Sequence, residues 1–312
     1  MSNACYRVYD LCLSLPFALN NELSAPVNAS VDVHVRFGPT PHILPDLLHS
    51  YTYEDINIDV QVDSRGDLLL RTGAAYYYVT GGDSVIIDAE PDIALSKLRY
   101  MLMGYCIPAL LNQRNALALH ANALVTPRGA VVLSGSSGGG KSTLHAVLMA
   151  RGMAMLSDDV TVLRTDRSGY QVLPGMRRYR LVADAWEKVQ PPADKAILLN
   201  GPRNKVAVWA PANSVYNQPV PLAAIYILES HTDGEIVVEQ LMGIEAFRLL
   251  QAQAYPPLES MILPRHLQAF SMLIDHTPVY RIRRPAHRWT ADELADIVLS
   301  DDPSIYIPAA YG

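Results

Sequence analysis

The sequence predicts an α/β protein in which a small β-rich N-terminal domain, residues 1–92, precedes a larger α/β domain, residues 93–312. Three observations lead to this prediction. Short alternating or apolar runs broken by glycines fill the first part. A long apolar segment follows Pro91. Strand-like and helix-like runs then alternate to the end of the chain, as in a sheet covered by helices.

The β-rich prediction rests on the stretch that begins at Ile58. It reads IDVQVD, LLLRTG, AAYYYVT and VIIDA, with turn-forming glycines at Gly66, Gly81 and Gly82. Short runs separated by glycine turns are typical of an antiparallel meander. This part carries no recognisable chemical motif, so we interpret it as structural.

The segment after Pro91, IALSKLRYMLMGYCIPALLNQRNAL, has helical spacing in its first half. Pro108 should kink or divide this helix, because proline lacks a backbone N–H. Charges at Lys97, Arg99 and Arg114 make the segment poorly suited to cross a bilayer. We expect a buried helix that leads into the larger domain.

After a predicted strand, LHANALV, and a PRG turn, the larger domain continues with a strand–loop–helix–strand pattern. AVVLSG is apolar throughout, as in a strand covered on both faces, and KSTLHAVLMARG is a predicted helix that stops at Gly152. MAMLS is the next predicted strand. Farther on, VPLAAIYILE and VYRIRRP are predicted strands, and MGIEAFRLLQAQAY and TADELADIVLSD are predicted helices. Thr290 is placed to cap the last helix, with Glu293 at the capping-box position.

Composition narrows the classes of function. Half of the 312 residues are apolar and the formal net charge is −6, which favours a folded protein and argues against nucleic acid or an anionic membrane as the main partner. The N-terminus MSNACYRVYD lacks a signal-peptide pattern, so we expect a cytoplasmic protein. Cys5, Cys12 and Cys106 lack metal-ligand spacing and are expected to be reduced, packed thiols.

The stretch GSSGGGKS, from Gly135 to Ser142, matches the phosphate-binding pattern G-x-x-x-x-G-K-[ST]. Glycines in such a loop let backbone N–H groups turn towards phosphate oxygens, and the following helix adds its positive end. Lys141 should reach the β and γ phosphates, while the Ser142 hydroxyl should hold Mg²⁺. The predicted nucleotide-binding residues are Gly135, Ser136, Ser137, Gly138, Gly139, Gly140, Lys141, Ser142 and Thr143.

Two adjacent acids, Asp158 and Asp159, follow the strand MAMLS. A right-handed crossover should place this strand in the same sheet as AVVLS, with both strands ending at one edge near the terminal phosphate. One acid can then face the phosphate while its neighbour faces a metal or a supporting residue. A magnesium-binding acid or a solvated turn are the alternatives. A carboxylate that takes the proton of an attacking hydroxyl favours a transferase over a hydrolase.

Residues from about 115 to 312 resemble the C-terminal catalytic domain of the HPr serine kinase/phosphorylase family. The matching features, in order, are Leu119-His120, the glycine loop, and the Arg-Gly that ends the helix before LSDD, with 17 positions from Lys141 to Asp158. The resemblance implies a P-loop catalytic domain with a central mixed sheet that uses ATP and Mg²⁺. It also implies that Asp158 is the base on a substrate serine, that Asp159 supports the geometry or the metal, and that His120 lies near the acids.

The resemblance has limits that bear on the substrate. The family's later glutamate-containing segment has no clear counterpart, and Arg177 and Arg178 stand in its place, which leaves the metal shell incomplete and the reverse phosphorylase reaction open. The N-terminal part does not resemble the family's sensor domain. Similar short proteins accompany ribosomal peptide pathways, so the expected acceptor is a serine of a peptide or protein, for example a lasso-peptide precursor. The family also implies a homo-oligomer.

The sequence leaves two interpretations open for each of three residues. His120 is either a satisfied core histidine or a site residue. His145, within the predicted helix, is expected to pack or to lie on the surface. Arg284, in RIRRP, either touches phosphate or is solvated.

The sequence therefore predicts an ATP- and Mg²⁺-dependent serine kinase. Its predicted catalytic residues are Asp158, Asp159, Lys141 and His120, and its predicted metal-binding residues are Ser142 and Asp159. A small-molecule hydroxyl kinase with the same residues is one alternative. A nucleotide-binding regulatory protein with little turnover is another.

Overall fold

The computed structural model describes residues 4–19, 30–53, 58–166, 169–199, 204–232, 234–254, 264–300 and 303. Contacts divide the chain into two compact units. Unit 1 comprises the described residues up to Ala118, and unit 2 comprises those from Leu119 onward. The division falls within the short strand Leu117–Leu119, which is described with unit 2. Each unit has a sheet that mixes parallel and antiparallel pairs.

Unit 1 is built on one eight-stranded sheet with the strand order β1-β2-β3-β8-β7-β6-β5-β4. The strands from β4 to β8 pair antiparallel with their sequence neighbours, which confirms the meander predicted from Ile58 onward. β3 pairs parallel with both β2 and β8. The strands are β1 Ala4–Val8, β2 Leu11–Leu15, β3 Val33–Phe37, β4 Leu47–Tyr53, β5 Ile58–Asp63, β6 Leu68–Arg71, β7 Ala75–Thr80 and β8 Ser84–Ala89.

The apolar segment after Pro91 forms two helices, α1 Leu95–Met101 and α2 Ile107–Gln113, joined by a π-helical turn. Pro108 lies in the first turn of α2, directly after the π-helical turn, so the α-helix is interrupted next to this proline, as predicted. The Gln113 side chain donates hydrogen bonds to the carbonyl oxygens of Gly66 (2.7 Å) and Val79 (3.1 Å). These bonds join α2 to the meander, and both lie in unit 1. The domain boundary expected after residue 92 stays a prediction.

Unit 2 contains a nine-stranded sheet, a separate three-stranded sheet and five helices within its described residues. Its helices are α3 Lys141–Ala150, α4 Ala183–Val189, α5 Gly243–Gln251, α6 Pro264–His276 and α7 Ala291–Leu299. The strands of the larger sheet are β9 Leu117–Leu119, β10 Asn122–Thr126, β11 Gly129–Gly135, β12 Ala154–Ser157, β13 Thr161–Asp166, β14 Gly169–Leu173, β18 Val220–His231, β19 Val237–Leu241 and β20 Val279–Pro285. The smaller sheet contains β15 Arg178–Val182, β16 Lys195–Leu198 and β17 Lys205–Trp209.

The larger sheet has the order β12-β10-β11-β18-β14-β13-β9, with β20 beside β18 and β19 beside β20. β11 runs parallel to β18, and β18 runs parallel to β20, so their carboxyl ends meet at one edge. β10 pairs antiparallel with both β11 and β12, so β12 is parallel to β11 and separated from it by one strand. The prediction that the crossover through α3 returns β12 to the sheet of β11 is therefore confirmed.

The core of unit 2 holds α3 and α7 against this sheet. Leu144 and Leu148 of α3 are fully buried, as is Val298 of α7, and they belong to one cluster with residues of β11 and β18. Burying a leucine side chain contributes about 1.5–3 kcal/mol, so this face of α3 fixes the helix on the sheet. α3 begins at the end of β11, so the same packing fixes the loop between them.

The start of α7 differs from the sequence prediction in one respect. Thr290 is the N-cap residue, but its side chain makes no capping hydrogen bond. Glu293 does not complete a capping box, because its carboxylate pairs with the Arg288 guanidinium. The predicted capping box is therefore wrong, because Arg288, which precedes the helix, binds the Glu293 carboxylate.

Within the described part of the chain, no helix combines the length and the apolar character that crossing a membrane requires.

Candidate functional site

The glycine-rich loop connects the end of β11 to the start of α3 and lies against β18. Gly135 has a φ of +126°, and a Cβ on it would lie 2.1 Å from the carbonyl oxygen of Leu228. A Cβ on Gly139 would lie 2.8 Å from the same oxygen. Both contacts are with backbone atoms that cannot move aside. Glycine is therefore required at both positions for the loop to approach β18 this closely.

The first turn of α3 presents unpaired backbone N–H groups beside this loop. Gly140 is the N-cap, with a φ of +106°, and the first turn contains no acidic residue. The positive end of the helix therefore remains uncompensated by a side chain, an arrangement that favours an anion. Ser142 and Thr143 lie half-buried in this turn, while Ser136, Ser137 and Gly138 are exposed in the loop.

Lys141 is buried and turned towards the loop. Its Nζ donates to the carbonyl oxygens of Gly135 (2.6 Å) and Ser136 (3.2 Å). Burial lowers the pKa of Lys141, while the charge of Asp159, and less strongly that of Asp158, acts to raise it. The structure therefore brings the loop lysine and both predicted acids within electrostatic range of one another.

Arg284, at the end of β20, supports the loop from outside. Its Nε donates to the Gly139 carbonyl at 2.9 Å, and its guanidinium also donates to the Gly138 carbonyl at 3.2 Å. Because the C=O and N–H of a trans peptide point in opposite directions, the Gly139 bond turns the N–H of Gly140 away from Arg284. The sequence left Arg284 open between a phosphate contact and a solvated side chain. In the structure it is half-buried and binds loop carbonyls.

Asp158 follows β12 and is held by the smaller sheet. Its Oδ2 accepts a hydrogen bond from the backbone N–H of Arg180 in β15 at 2.9 Å. Burial raises the pKa of Asp158 to about 7, and the negative charge of Asp159 adds to the rise against the lowering effect of the Arg180 hydrogen bond. A carboxyl group with this pKa can accept and release a proton near neutral pH.

Asp159 is about half exposed and has a left-handed backbone, with a φ of +67°. Its Oδ1 lies 3.7 Å from Nδ1 of His120, and its Oδ2 lies 4.0 Å from the guanidinium of Arg180. Its backbone N–H donates to Oδ1 of Asn122 at 3.4 Å. A positive φ is uncommon for a residue with a side chain and tends to mark functional turns. This turn directs the two acids to different partners.

His120 lies on the turn between β9 and β10, beside Asp159. Burial lowers its pKa, and Lys141 and Lys205 act in the same direction against the raising effect of Asp159. Its backbone N–H donates to the carbonyl of Gln253 at 2.7 Å. The Gln253 side chain in turn accepts hydrogen bonds from the N–H of Gly135 and the hydroxyl of Ser134, both at 3.2 Å. The histidine is thus tied to the base of the glycine loop and borders the acids.

Two cationic residues that the sequence analysis did not single out complete the site. Arg180 contacts both aspartates, through its backbone to Asp158 and through its guanidinium to Asp159. Lys205, at the start of β17, acts on the pKa values of His120, Lys141 and Asp158. Both residues come from the smaller sheet, whose approach to the loop no local motif predicts. In the sequence, the arginines of RRYR, residues 177–180, were the available indication of positive charge in this region.

The remaining residues discussed from sequence lie away from the acids. Arg177 pairs with Asp194 at 3.8 Å, and Arg178 lies over the Trp209 ring at 6.0 Å. His145 is fully buried on α3 and packs edge-on against the Tyr179 ring at 5.6 Å, as the packing prediction required. Its burial lowers its pKa to about 3, so it is neutral at physiological pH.

The donor groups present suit a magnesium ion bound together with phosphate. Ser142 supplies a hydroxyl and Asp159 a carboxylate, both hard oxygen ligands. No group of three or more His, Cys, Asp or Glu side chains that could hold a metal occurs among the described residues. Mg²⁺ commonly takes one or two protein oxygens, waters and substrate phosphate oxygens, so a full protein cage is not required.

Comparisons with known proteins add little. No protein-family model and no curated protein matches the chain. Among solved structures, the chain is similar to the HPr(Ser) kinase/phosphatase from Coxiella burnetii, with 17% sequence identity and a TM-score of 0.32. The similarity covers 58% of this chain and 87% of that one. We draw no functional conclusion from a similarity of this size.

Proposed function

We propose that the protein is an ATP- and Mg²⁺-dependent serine kinase that transfers the γ-phosphoryl group to a serine hydroxyl of a peptide or protein. The observation that carries the proposal is the placement of Asp158. Burial raises the pKa of its carboxyl group to about 7, the Arg180 amide holds the carboxyl group, and its charge acts on Lys141 of the glycine loop. A carboxyl group suited to accept a proton near the glycine loop supports the proposal.

The loop and α3 are suited to hold the phosphates of the donor. Gly135 and Gly139 permit the loop to lie against β18, and the free N–H groups of the first turn of α3 favour an anion. Lys141 donates to two loop carbonyls, and a phosphate oxygen would compete for the same ammonium group. In the proposal, Lys141 moves from these carbonyls to the β and γ phosphates.

Ser142 and Asp159 are the residues that would hold Mg²⁺. When bound, the ion would offset the negative charge that develops on the phosphate oxygens. Arg180 and Lys205 add positive charge near the acids. These cations favour entry of a polyphosphate and oppose the repulsion that Asp158 and Asp159 would exert on it.

The proposed transfer step moves one phosphoryl group and one proton. The serine hydroxyl oxygen forms a bond to the γ phosphorus while the bond from that phosphorus to the bridging oxygen breaks, and ADP leaves with the electron pair. The Asp158 carboxylate accepts the hydroxyl proton and later releases it to water. Asp159 follows this residue in the chain, and its contacts with His120 and Asn122 hold the turn in place.

The proposal is tested by incubating the protein with γ-labelled ATP, Mg²⁺ and a panel of serine peptides. Asp158→Asn is expected to abolish transfer while it leaves ADP affinity within about twofold, because the proton acceptor is lost and the phosphate-binding loop is unchanged. Lys141→Ala is expected to weaken both binding and transfer. Asp275→Asn, which removes an exposed carboxylate of α6, is the matched control and should behave as the wild type.

The outcomes separate the candidate functions. Label on peptide serine, lost in Asp158→Asn, supports the proposal. Label on a small hydroxyl compound and on no peptide indicates a small-molecule kinase. Tight ADP binding without transfer to any acceptor indicates a regulatory protein. Full transfer by Asp158→Asn would rule out the base assignment.

A further inference from the structure

A cavity of about 370 Å³ lies beside the glycine loop, on the side that faces α4 and α7. Gly140 and Thr143 line it where the loop meets α3. Its other lining residues combine apolar groups, such as Ala185, Leu294 and Trp289, with charged ones, such as Asp184, Lys188 and Arg288. Concave sites that combine apolar and aromatic side chains with polar groups are the usual form of a small-molecule site, and this volume is within the usual range.

The indole of Trp289 has a fixed orientation in this cavity. Its Nε1 donates to Oδ2 of Asp292 in the first turn of α7 at 2.7 Å. The ring also packs against the buried clusters that contain Leu181 and Ala185. Because the N–H is already bonded and the side chain is packed against this cluster, the indole is held in one orientation at the wall of the cavity.

Lys188 contributes the second notable contact in the cavity. Its Nζ lies 3.9 Å from the centroid of the Trp289 ring, and the residue is exposed on α4. An exposed cation–π contact is weaker than the stacking of a nucleic-acid base on an aromatic ring. A flat aromatic ligand would therefore displace the ammonium group from the ring, and the displaced Lys188 would remain close enough to attract phosphate.

The position of the cavity along the loop indicates which part of a ligand it would take. Its described lining includes Gly140, Thr143 and Arg284 but none of Lys141, Asp158 or Asp159. Under the proposed function the terminal phosphate lies at the acids, and the phosphate chain follows the loop amides. The nucleoside end then leaves the loop at the start of α3, where this cavity opens.

We propose that this cavity is the nucleoside subsite, and that Trp289 is the residue on which the base of the bound nucleotide stacks. The inference rests on the proposed function, because it takes the glycine loop as the phosphate site. It goes beyond that function by assigning the base to a specific ring that no sequence motif indicates.

The test compares ADP with tripolyphosphate, which has the phosphates and lacks the base. Affinities of both are measured by calorimetry with Mg²⁺ for the wild type, Trp289→Ala and Trp209→Ala. Trp289→Ala is expected to weaken ADP about tenfold, the effect of losing one base stack, and to leave tripolyphosphate within about twofold. Trp209→Ala removes a half-buried indole of β17 that contacts Arg178 and Lys195, and it should change neither affinity.

A second pair of variants, in which phenylalanine replaces tryptophan, controls for a loss of folding in the alanine variants. ADP is expected to quench the tryptophan fluorescence of the wild type and of Trp209→Phe, and to lose most of this effect in Trp289→Phe. Quenching that persists in Trp289→Phe, or equal loss of ADP and tripolyphosphate in a folded Trp289→Ala, would overturn the subsite. If the wild type bound neither ligand, the nucleotide site itself would be refuted, which is the separate failure of the proposed function.

Discussion

Asp158 Oδ2 accepts a hydrogen bond from the Arg180 backbone N–H at 2.9 Å, although the two residues are 22 positions apart. The donor is a main-chain group of β15, so its position is set by the pairing of β15 with β17 and not by a flexible side chain. The bond therefore orients a carboxylate at the end of β12 by means of a different sheet. It connects the predicted acid to residues that carry the site's additional positive charge.

The rate of phosphoryl transfer is expected to depend on the ionisation of Asp158. Burial raises its pKa to about 7, and only the ionised carboxylate can accept a proton. We expect kcat/KM to rise about tenfold per pH unit on the acid side and to level off above about pH 7. A pH series with one efficient peptide measures this. A profile that is flat between about pH 5.5 and 8 would contradict the role of Asp158 as base.

Asp158 is also expected to lower stability at alkaline pH. Its pKa is higher in the folded than in the unfolded chain, where it is about 3.9, so the folded state favours the protonated form. Its stabilising contribution is complete below the unfolded pKa and is lost as the pH rises through about 7. Asp158→Asn should therefore raise the Tm at pH 8 by about 2 °C or more and should raise it less at pH 5.

These melting curves are recorded in EDTA without nucleotide, because a ligand would add its own stabilisation. Asp275→Asn is the matched control, since its carboxylate is exposed. A Tm increase of the same size at both pH values would show that the charge of Asp158 is not the cause.

Gly135→Ala is expected to be far more destabilising than Gly152→Ala. Both glycines have positive φ, +126° and +89°, and this alone costs an alanine about 1–2 kcal/mol. The added Cβ meets the Leu228 carbonyl at 2.1 Å in the first case and nothing within 4 Å in the second. We expect Gly135→Ala to lower the free energy of unfolding by more than about 3 kcal/mol. Urea titration of both variants measures this, and equal losses would contradict the close approach of the loop to β18.

Arg284→Met is expected to weaken the binding of ADP and tripolyphosphate by the glycine loop. Arg284 donates to the carbonyls of Gly138 and Gly139, and without these bonds the carbonyls are free to turn towards a phosphate and repel it. Hydrogen bonds from a charged donor contribute about 1.5–3 kcal/mol, so we expect at least tenfold weaker binding of both ADP and tripolyphosphate. Arg283→Met, which removes an arginine paired with Glu239, is the control. Equal effects of the two variants would contradict a specific role of Arg284.

Several elements could be predicted from local patterns. The meander of unit 1 follows from glycine turns between short apolar runs, and the interruption at Pro108 follows from its missing N–H. The strand–loop–helix unit around Lys141 follows from an apolar run, a glycine-rich loop and a helical run in sequence. Such features depend on interactions between residues close together in the chain, which a sequence displays directly.

Other features were open or missed because they depend on distant residues. Arg284 could be read as a phosphate ligand or as solvated, and its true partners are carbonyls about 145 positions away. Glu293 had the spacing of a capping box, yet it pairs with Arg288.

The sequence by itself determined the glycine loop and its lysine, which form one local motif. It also determined that the pair of acids ends a strand of the same sheet, because a crossover has one favoured hand. Only the tertiary structure decided what surrounds them. Arg180 and Lys205 reach the acids through the smaller sheet, and Trp289 lines the cavity at the other end of the loop. These residues come together because sheets and helices that are remote in sequence bury their apolar faces against one core. No short motif encodes where such packing places a side chain.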